Sequence, residues 1–168
     1  MPLFSQLILL LTSLLGLTLA NHHHNQHPFS PSDLTLDPNQ IVLDTMSSKS
    51  LNVFKKPLAL HSTSPMTGFL RNGYCEVPAS DFGNHGVAAE VSEEFLDFTA
   101  SRGNDLRPVG LKGGCKWCLC ASRWLEAFEA RGQHGEKIVP KVVLGATNES
   151  VLKKLNLEDL KKFAVDKE

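Results

Sequence analysis

The chain has 168 residues, 17 Lys+Arg against 18 Asp+Glu, four cysteines and 42% hydrophobic side chains. That suffices for one ordinary domain but not two large ones, and it excludes a wholly disordered or collagen-like polymer. A near-neutral balance, with an isoelectric point of about 6.6, argues against a nucleic-acid partner, which calls for a basic face or stripe. The charges are unevenly spread. Residues 1–48 hold no Lys or Arg and only Asp33, Asp37 and Asp44, so residues 49–168 carry 17 basic and 15 acidic groups, a net of +2.

Leu7–Leu19 is an apolar run of the length of a signal-peptide core, shorter than a bilayer-spanning helix needs. Thr18-Leu19-Ala20 sets small residues where a signal peptidase would cut after Ala20, although no basic residue precedes the run. The expectation is export to the exterior or to a secretory-pathway lumen, with no membrane association once the leader is cut. An uncleaved membrane anchor is the alternative. Residues 21–48, rich in His, Asn, Pro and Ser, bury too little surface to offset their ordering entropy and read as a flexible linker. His22, His23, His24 and His27 in that linker could hold a loose divalent ion, but a solvated tail is the plainer reading. A folded domain is expected over residues 49–168.

Within that domain Leu58-Ala59-Leu60 reads as a strand start, and Asn72-Gly73 as a hairpin turn leading into Tyr74 and Cys75. His85–Val91 is a further strand candidate. Ser92 before Glu93 and Glu94 is an N-cap signal for a helix over 93–102, which Gly103 would end. Residues 104–114 read as a loop, with Pro108, Gly110, Gly113 and Gly114. Trp117, Ala121, Trp124, Leu125 and Phe128 fall on one face of a second helix, expected over 117–130 and closed by Gly132. Ile138–Leu144 reads as a strand. Asn148 and Asn156 read as caps of two short helices, from Glu149 and over 157–164. The pattern implies an α+β fold: a small single domain with a short mixed or antiparallel sheet and three to four helices.

Several local strings resemble the domain of unknown function 2237 family, small proteins best represented in bacteria. They are Pro65–Phe69 with Gly73-Tyr74-Cys75, Ser101–Leu106, Trp117–Ala121 with Arg123–Ala127, and Ala164-Val165-Asp166. The resemblance covers roughly 51–166 and implies no activity. It falls on Cys75, Cys118, Cys120 and the loop Arg102–Asp105, while Cys115 departs from its pattern.

The chemistry concentrates in Cys115-Lys116-Trp117-Cys118-Leu119-Cys120. Cys118 and Cys120 would lie near a helix N-terminus, where unpaired N–H groups, the macrodipole and Lys116 favour a thiolate. A dithiol–disulfide couple is one option, although no Pro follows and a Gly-Gly precedes the C-x-x-C. A Zn²⁺ site is another, from Cys75, Cys118 and Cys120 with Cys115, completed by His85 or His61. A structural disulfide from Cys75 to Cys118 or Cys120 is a third, worth about 2–4 kcal/mol, and simple packing of small apolar thiols a fourth. Metal binding or thiol chemistry thus stands against a non-catalytic structural or interaction domain. The functional options require the sulfur of Cys75 to meet those of Cys118 and Cys120.

Three further features carry weaker chemistry. Arg102 could clamp an anion and Asp105 act as an acid or base, against a helix C-cap in which Gly103, Asn104 and Asp105 serve only the local backbone. His85, with Asp81 four residues before it, could be a general base for a cysteine nucleophile. Asn148-Glu149-Ser150 is a sequon, so an N-glycan is expected on Asn148 if the chain is exported, at a cap position expected at the surface.

Overall fold

The computed structural model describes residues 50–166, all of which lie within the compact unit Asp37–Glu168. The leader, the histidine cluster and the whole linker lie outside the described residues. Among the described residues no helix is long and apolar enough to cross a membrane.

A three-stranded antiparallel sheet sits at the centre, made of β1 (Val87–Glu90), β2 (Lys116–Leu119) and β3 (Lys141–Val142), in the order β2-β1-β3. Three helices complete the fold: α1 (Glu93–Ser101), α2 (Ala121–His134) and α3 (Leu157–Lys162), joined by short 3₁₀ turns. This is the α+β domain that the pattern implies.

The sheet is covered on both sides. Val87, Ala89, Leu119 and Val142 face the main core with Trp124, Phe95, Leu96 and Leu160. Ala88 and Cys118, paired across β1 and β2, face the other way and pack with Cys75 and Ala146. Strand alternation therefore sends Cys118 to the side away from Trp124. That second side is roofed by the irregular segment 50–86. Thr67, buried in it, accepts the Cys118 N–H on its hydroxyl at 2.8 Å, and the Thr147 hydroxyl accepts the Ala88 N–H at 3.1 Å.

Helix α1 starts where its signal stands. Ser92 accepts the Phe95 N–H at 3.0 Å, two glutamates occupy the positive first turn, and Gly103 turns the chain at φ +75°. Helix α2 differs from its expected span. The stretch from Lys116 to Leu119 is a strand, the helix begins at Ala121, and it runs through Gly132 to end at Gly135, φ +87°. Pairing with β1 outweighs the apolar spacing that joins Trp117 to Trp124. Those two rings consequently lie on different elements, and only Trp124 is fully buried, donating its Nε1–H to Pro140 O at 3.1 Å.

Other expectations are corrected in the same way. Leu58-Ala59-Leu60 forms no strand: its surroundings are turns, bends and isolated bridges such as Leu51–Pro57 and Thr63–Met66. Asn72-Gly73 makes a turn, with Gly73 at φ +86°, but no hairpin strands flank it. Of Ile138–Leu144 only Lys141–Val142 is strand, because both ends are taken by 3₁₀ turns. Asn148 and Asn156 do cap, accepting the N–H groups of Ser150 at 3.0 Å and Glu158 at 2.8 Å. Asn148, however, is buried rather than at the surface, so a glycan would have to be attached before the chain folds. The C-terminus closes the domain: Asp166 accepts the N–H groups of Leu144 and Gly145, at 2.6 and 2.8 Å.

Candidate thiol centre

The segment from Asp81 to Gly86 is a tight loop carrying two of the three groups that matter. The Asp81 side chain is fully enclosed. One of its carboxylate oxygens accepts the His85 backbone N–H at 2.8 Å, and the other accepts the His85 Nδ1–H at 2.7 Å. The i, i+4 spacing thus lets one buried carboxylate fix both the backbone and the ring of His85. The ring's other nitrogen, Nε2, lies 2.9 Å from Cys120 Sγ.

Two features hold the loop against the cysteine. Asn84, in the left-handed region at φ +50°, accepts the Ala121 N–H on its carbonyl at 2.9 Å, which ties the loop to the first residue of α2. Its side-chain amide donates to Ser150 O at 3.1 Å. At Gly83 a Cβ would come within 2.7 Å of His85 Cε1 and 3.4 Å of Cys120 Sγ, so glycine leaves the room that the imidazole and sulfur occupy.

Cys120 is the N-cap residue of α2, half-buried and without a disulfide. The positive end of a helix and a protonated imidazole are the two surroundings that best stabilise a sulfur anion. His85 meets the second condition. Its hydrogen bond to Cys120 is the largest influence raising its pKa; burial opposes this, the bond to Asp81 adds to it, and the result is about 9. The ring is therefore protonated at neutral pH and donates from both nitrogens.

Cys75 and Cys118 are bonded to each other across 43 residues, with Cα atoms 5.3 Å apart, and both are buried. The meeting of the distant sulfurs is thus real for Cys75 and Cys118, and it is a covalent bond. This corrects the Zn²⁺ reading on Cys75, Cys118, Cys120 and His85, because two of its four ligands are spent on one another. Asp81 and Cys120 also sit at opposite edges of the His85 ring and cannot share an ion with it. Among the described residues no group of three or more His, Cys, Asp or Glu is placed to hold a metal ion. The dithiol reading of Cys115 with Cys118 is corrected for the same reason, and Cys115 stays free beside the main core.

Other candidates are occupied locally. Arg102 pairs with Glu126 at 3.2 Å and lies over the Phe98 ring, while Asp105 accepts the Arg107 N–H at 3.0 Å, a turn role rather than an acid–base one. The Gly113 N–H donates to Glu93 at 2.6 Å, which ties the glycine-bearing loop to the first turn of α1. His61 is buried, donates Nε2–H to Ala89 O at 3.1 Å and leaves Nδ1 without a partner; burial holds its pKa below the ordinary value.

A cleft of about 370 Å³ reaches the His85 ring, bordered by Phe69, Arg71, Leu106, Val109, Trp117 and the disulfide-bonded Cys118; Cys120 adjoins it through the His85 ring. Phe69 stacks on His85 with centroids 6.0 Å apart, and the Arg71 guanidinium lies 4.6 Å over Trp117. Reading the sequence alone did not single out Arg71 or Phe69 as site residues. The available signal was the turn string Met66-Thr67-Gly68-Phe69-Leu70-Arg71-Asn72-Gly73, whose φ values of +90°, +53° and +86° at Gly68, Arg71 and Gly73 mark a constrained loop.

A family model, "Uncharacterized protein conserved in bacteria (DUF2237)", matches residues 51–164, a span that includes Asp81, His85 and Cys120. No curated protein matches the chain.

Proposed function

The chain belongs to this family of uncharacterized proteins conserved in bacteria, DUF2237, and we propose that it is a cysteine-nucleophile domain that transfers acyl groups through a thioester on Cys120. The observation that carries the reading is the continuous line Asp81–His85–Cys120, with links of 2.7 and 2.9 Å. A nucleophile, a base within hydrogen-bond reach, and a third group orienting that base are the parts of a catalytic triad, whichever fold carries them.

In this mechanism Cys120 Sγ attacks the carbonyl carbon of an activated acyl donor. A C–S bond forms, the bond to the leaving group breaks, and the leaving group takes the proton from His85 Nε2. Water then attacks the thioester carbon, gives a proton to Nε2, and the acid departs as the sulfur is released. Asp81 keeps the ring in place and stabilises its charge, and needs no proton of its own. The buried Cys75–Cys118 bond supports folding in an oxidising compartment, in keeping with an export leader.

The test is the reaction of the purified protein with 4-nitrophenyl acetate. The expected result is a stoichiometric burst of nitrophenolate and one acetyl group on Cys120 by peptide mass mapping, absent in Cys120→Ala and strongly slowed in His85→Gln. Acetylation of Cys115 instead, or of neither thiol, would overturn the reading.

A further inference from the structure

The cleft beside the triad has a chemical polarity of its own. Its walls are aromatic or aliphatic, from Phe69, Leu106, Val109 and Trp117, and at its border stands one arginine, with the His85 imidazole as the other cation. Arg71 differs from its neighbours on the surface. Arg102, Arg107 and Arg123 each pair with a carboxylate. Among the described residues the Arg71 guanidinium meets no carboxylate; it lies over the Trp117 ring and donates to the carbonyl of Met66, at 3.5 Å. A guanidinium held over an aromatic ring can still turn N–H groups toward an anion. The turn that holds it is tightly defined: Arg71 N–H donates to Gly68 O at 3.1 Å, and a Cβ at Gly68 would collide with Tyr74 O at 2.1 Å. The residue is therefore set at the cleft by backbone geometry rather than by chance of a long side chain.

We infer that this cleft selects the acyl group delivered to Cys120, one with an apolar body and a distal carboxylate that Arg71 pairs. The inference rests on the acyl-transfer reading. The apolar body lies along Phe69, Val109 and Trp117, the reacting carbonyl sits at the His85 edge of the cleft, beside the Nε2 that lies 2.9 Å from Cys120 Sγ, and the carboxylate sits at Arg71. A cleft of about 370 Å³ suits a small molecule.

Two measurements on the full chain separate this inference from its premise. The first compares acylation by the 4-nitrophenyl monoester of adipic acid with that by 4-nitrophenyl hexanoate. The expected result is a preference of about tenfold for the charged ester, as one charge-assisted hydrogen-bonded pair supplies. That preference, read as the ratio of the two rates within each variant, is lost in Arg71→Gln and restored in part by Arg71→Lys. Equal rates for the two esters in the wild type would overturn the selectivity while leaving Cys120 acylation intact. The second needs no chemistry: in Cys120→Ala, adipate but not hexanamide should shift the Trp117 indole N–H resonance, and Arg71→Gln should abolish the shift. Adipate binding without acylation of Cys120 keeps the anion cleft and discards the thioester; no Arg71-dependent shift discards the cleft.

Discussion

Cys118 and Cys120 stand two residues apart in opposite surroundings. Cys118 lies in β2 on the face of the sheet away from the main core, paired with Ala88, and its sulfur is bonded to Cys75. Cys120 follows the end of that strand, where the chain bends through φ −56°, ψ 134° and opens α2, and its sulfur meets His85 instead of a second sulfur. One cysteine joins the irregular roof to the sheet, and the other is presented to the His85 imidazole, whose ring borders the cleft. The lesson is that a C-x-C string says little until the element boundary inside it is known, because that boundary decides which sulfur is structural and which is chemical.

The largest expected effect breaks the structural half of the pair. Replacing both Cys75 and Cys118 by Ala opens a loop closed across 43 residues. On the chain-entropy model this costs about 4 kcal/mol of unfolding free energy, to be read from urea denaturation. A loss below about 1 kcal/mol would mean that the roof is held by its hydrogen bonds, such as Thr67 to the Cys118 N–H, rather than by the bridge.

The chemical half is sharpened by pH. The pKa of His85 is raised in the folded state from its ordinary value of 6.5 to about 9, first by Cys120. A raised pKa means the folded state binds the proton more tightly than the unfolded one. The stabilisation is therefore complete below about 6.5, declines as pH rises, and is gone above about 9. The stability difference between wild type and His85→Gln should shrink across that window, measured as urea midpoints at fixed ionic strength. A pH-independent difference would show that the ring contributes packing and not charge.

The sequence made some of this contrast legible and hid the rest for physical reasons. Local signals held: Ser92 as a cap, Asn148 and Asn156 as caps, and the Asp81/His85 spacing, which brings the two side chains into a hydrogen bond, all set within four or five residues. What failed was long-range. Trp117 happens to continue the helical spacing of Ala121, Trp124 and Phe128, and only pairing with Ala89 reveals a strand there. The choice of Cys118 over Cys120 as partner for Cys75 depends on that same pairing, so a single boundary error left the disulfide, the metal and the dithiol readings all open. Arg71 was invisible for a related reason: a stack on Trp117, 46 residues later, has no local signature.

The smallest change offers the finest separation of the two sulfurs. Gly83→Ala adds one methyl group whose nearest neighbours are His85 Cε1 and Cys120 Sγ. The bulk of the domain core lies elsewhere, among Trp124, Phe95, Leu96 and Leu160. The half-exposed His85 ring is the part free to yield, and as it swings away its 2.9 Å contact with Cys120 lengthens. Above about pH 9, where the His85 proton no longer contributes, stability should therefore change by less than about 1 kcal/mol, since no core contact or buried hydrogen bond outside the triad is disturbed. The burst with 4-nitrophenyl acetate should nonetheless slow several-fold, because the proton partner no longer lies within reach of the sulfur. Equal losses in urea midpoint and burst rate would show that the Asp81–Gly86 loop is one cooperative unit with the core. An unchanged burst would show that the imidazole need not be held so closely, and the contrast between the two cysteines would then rest on the disulfide alone.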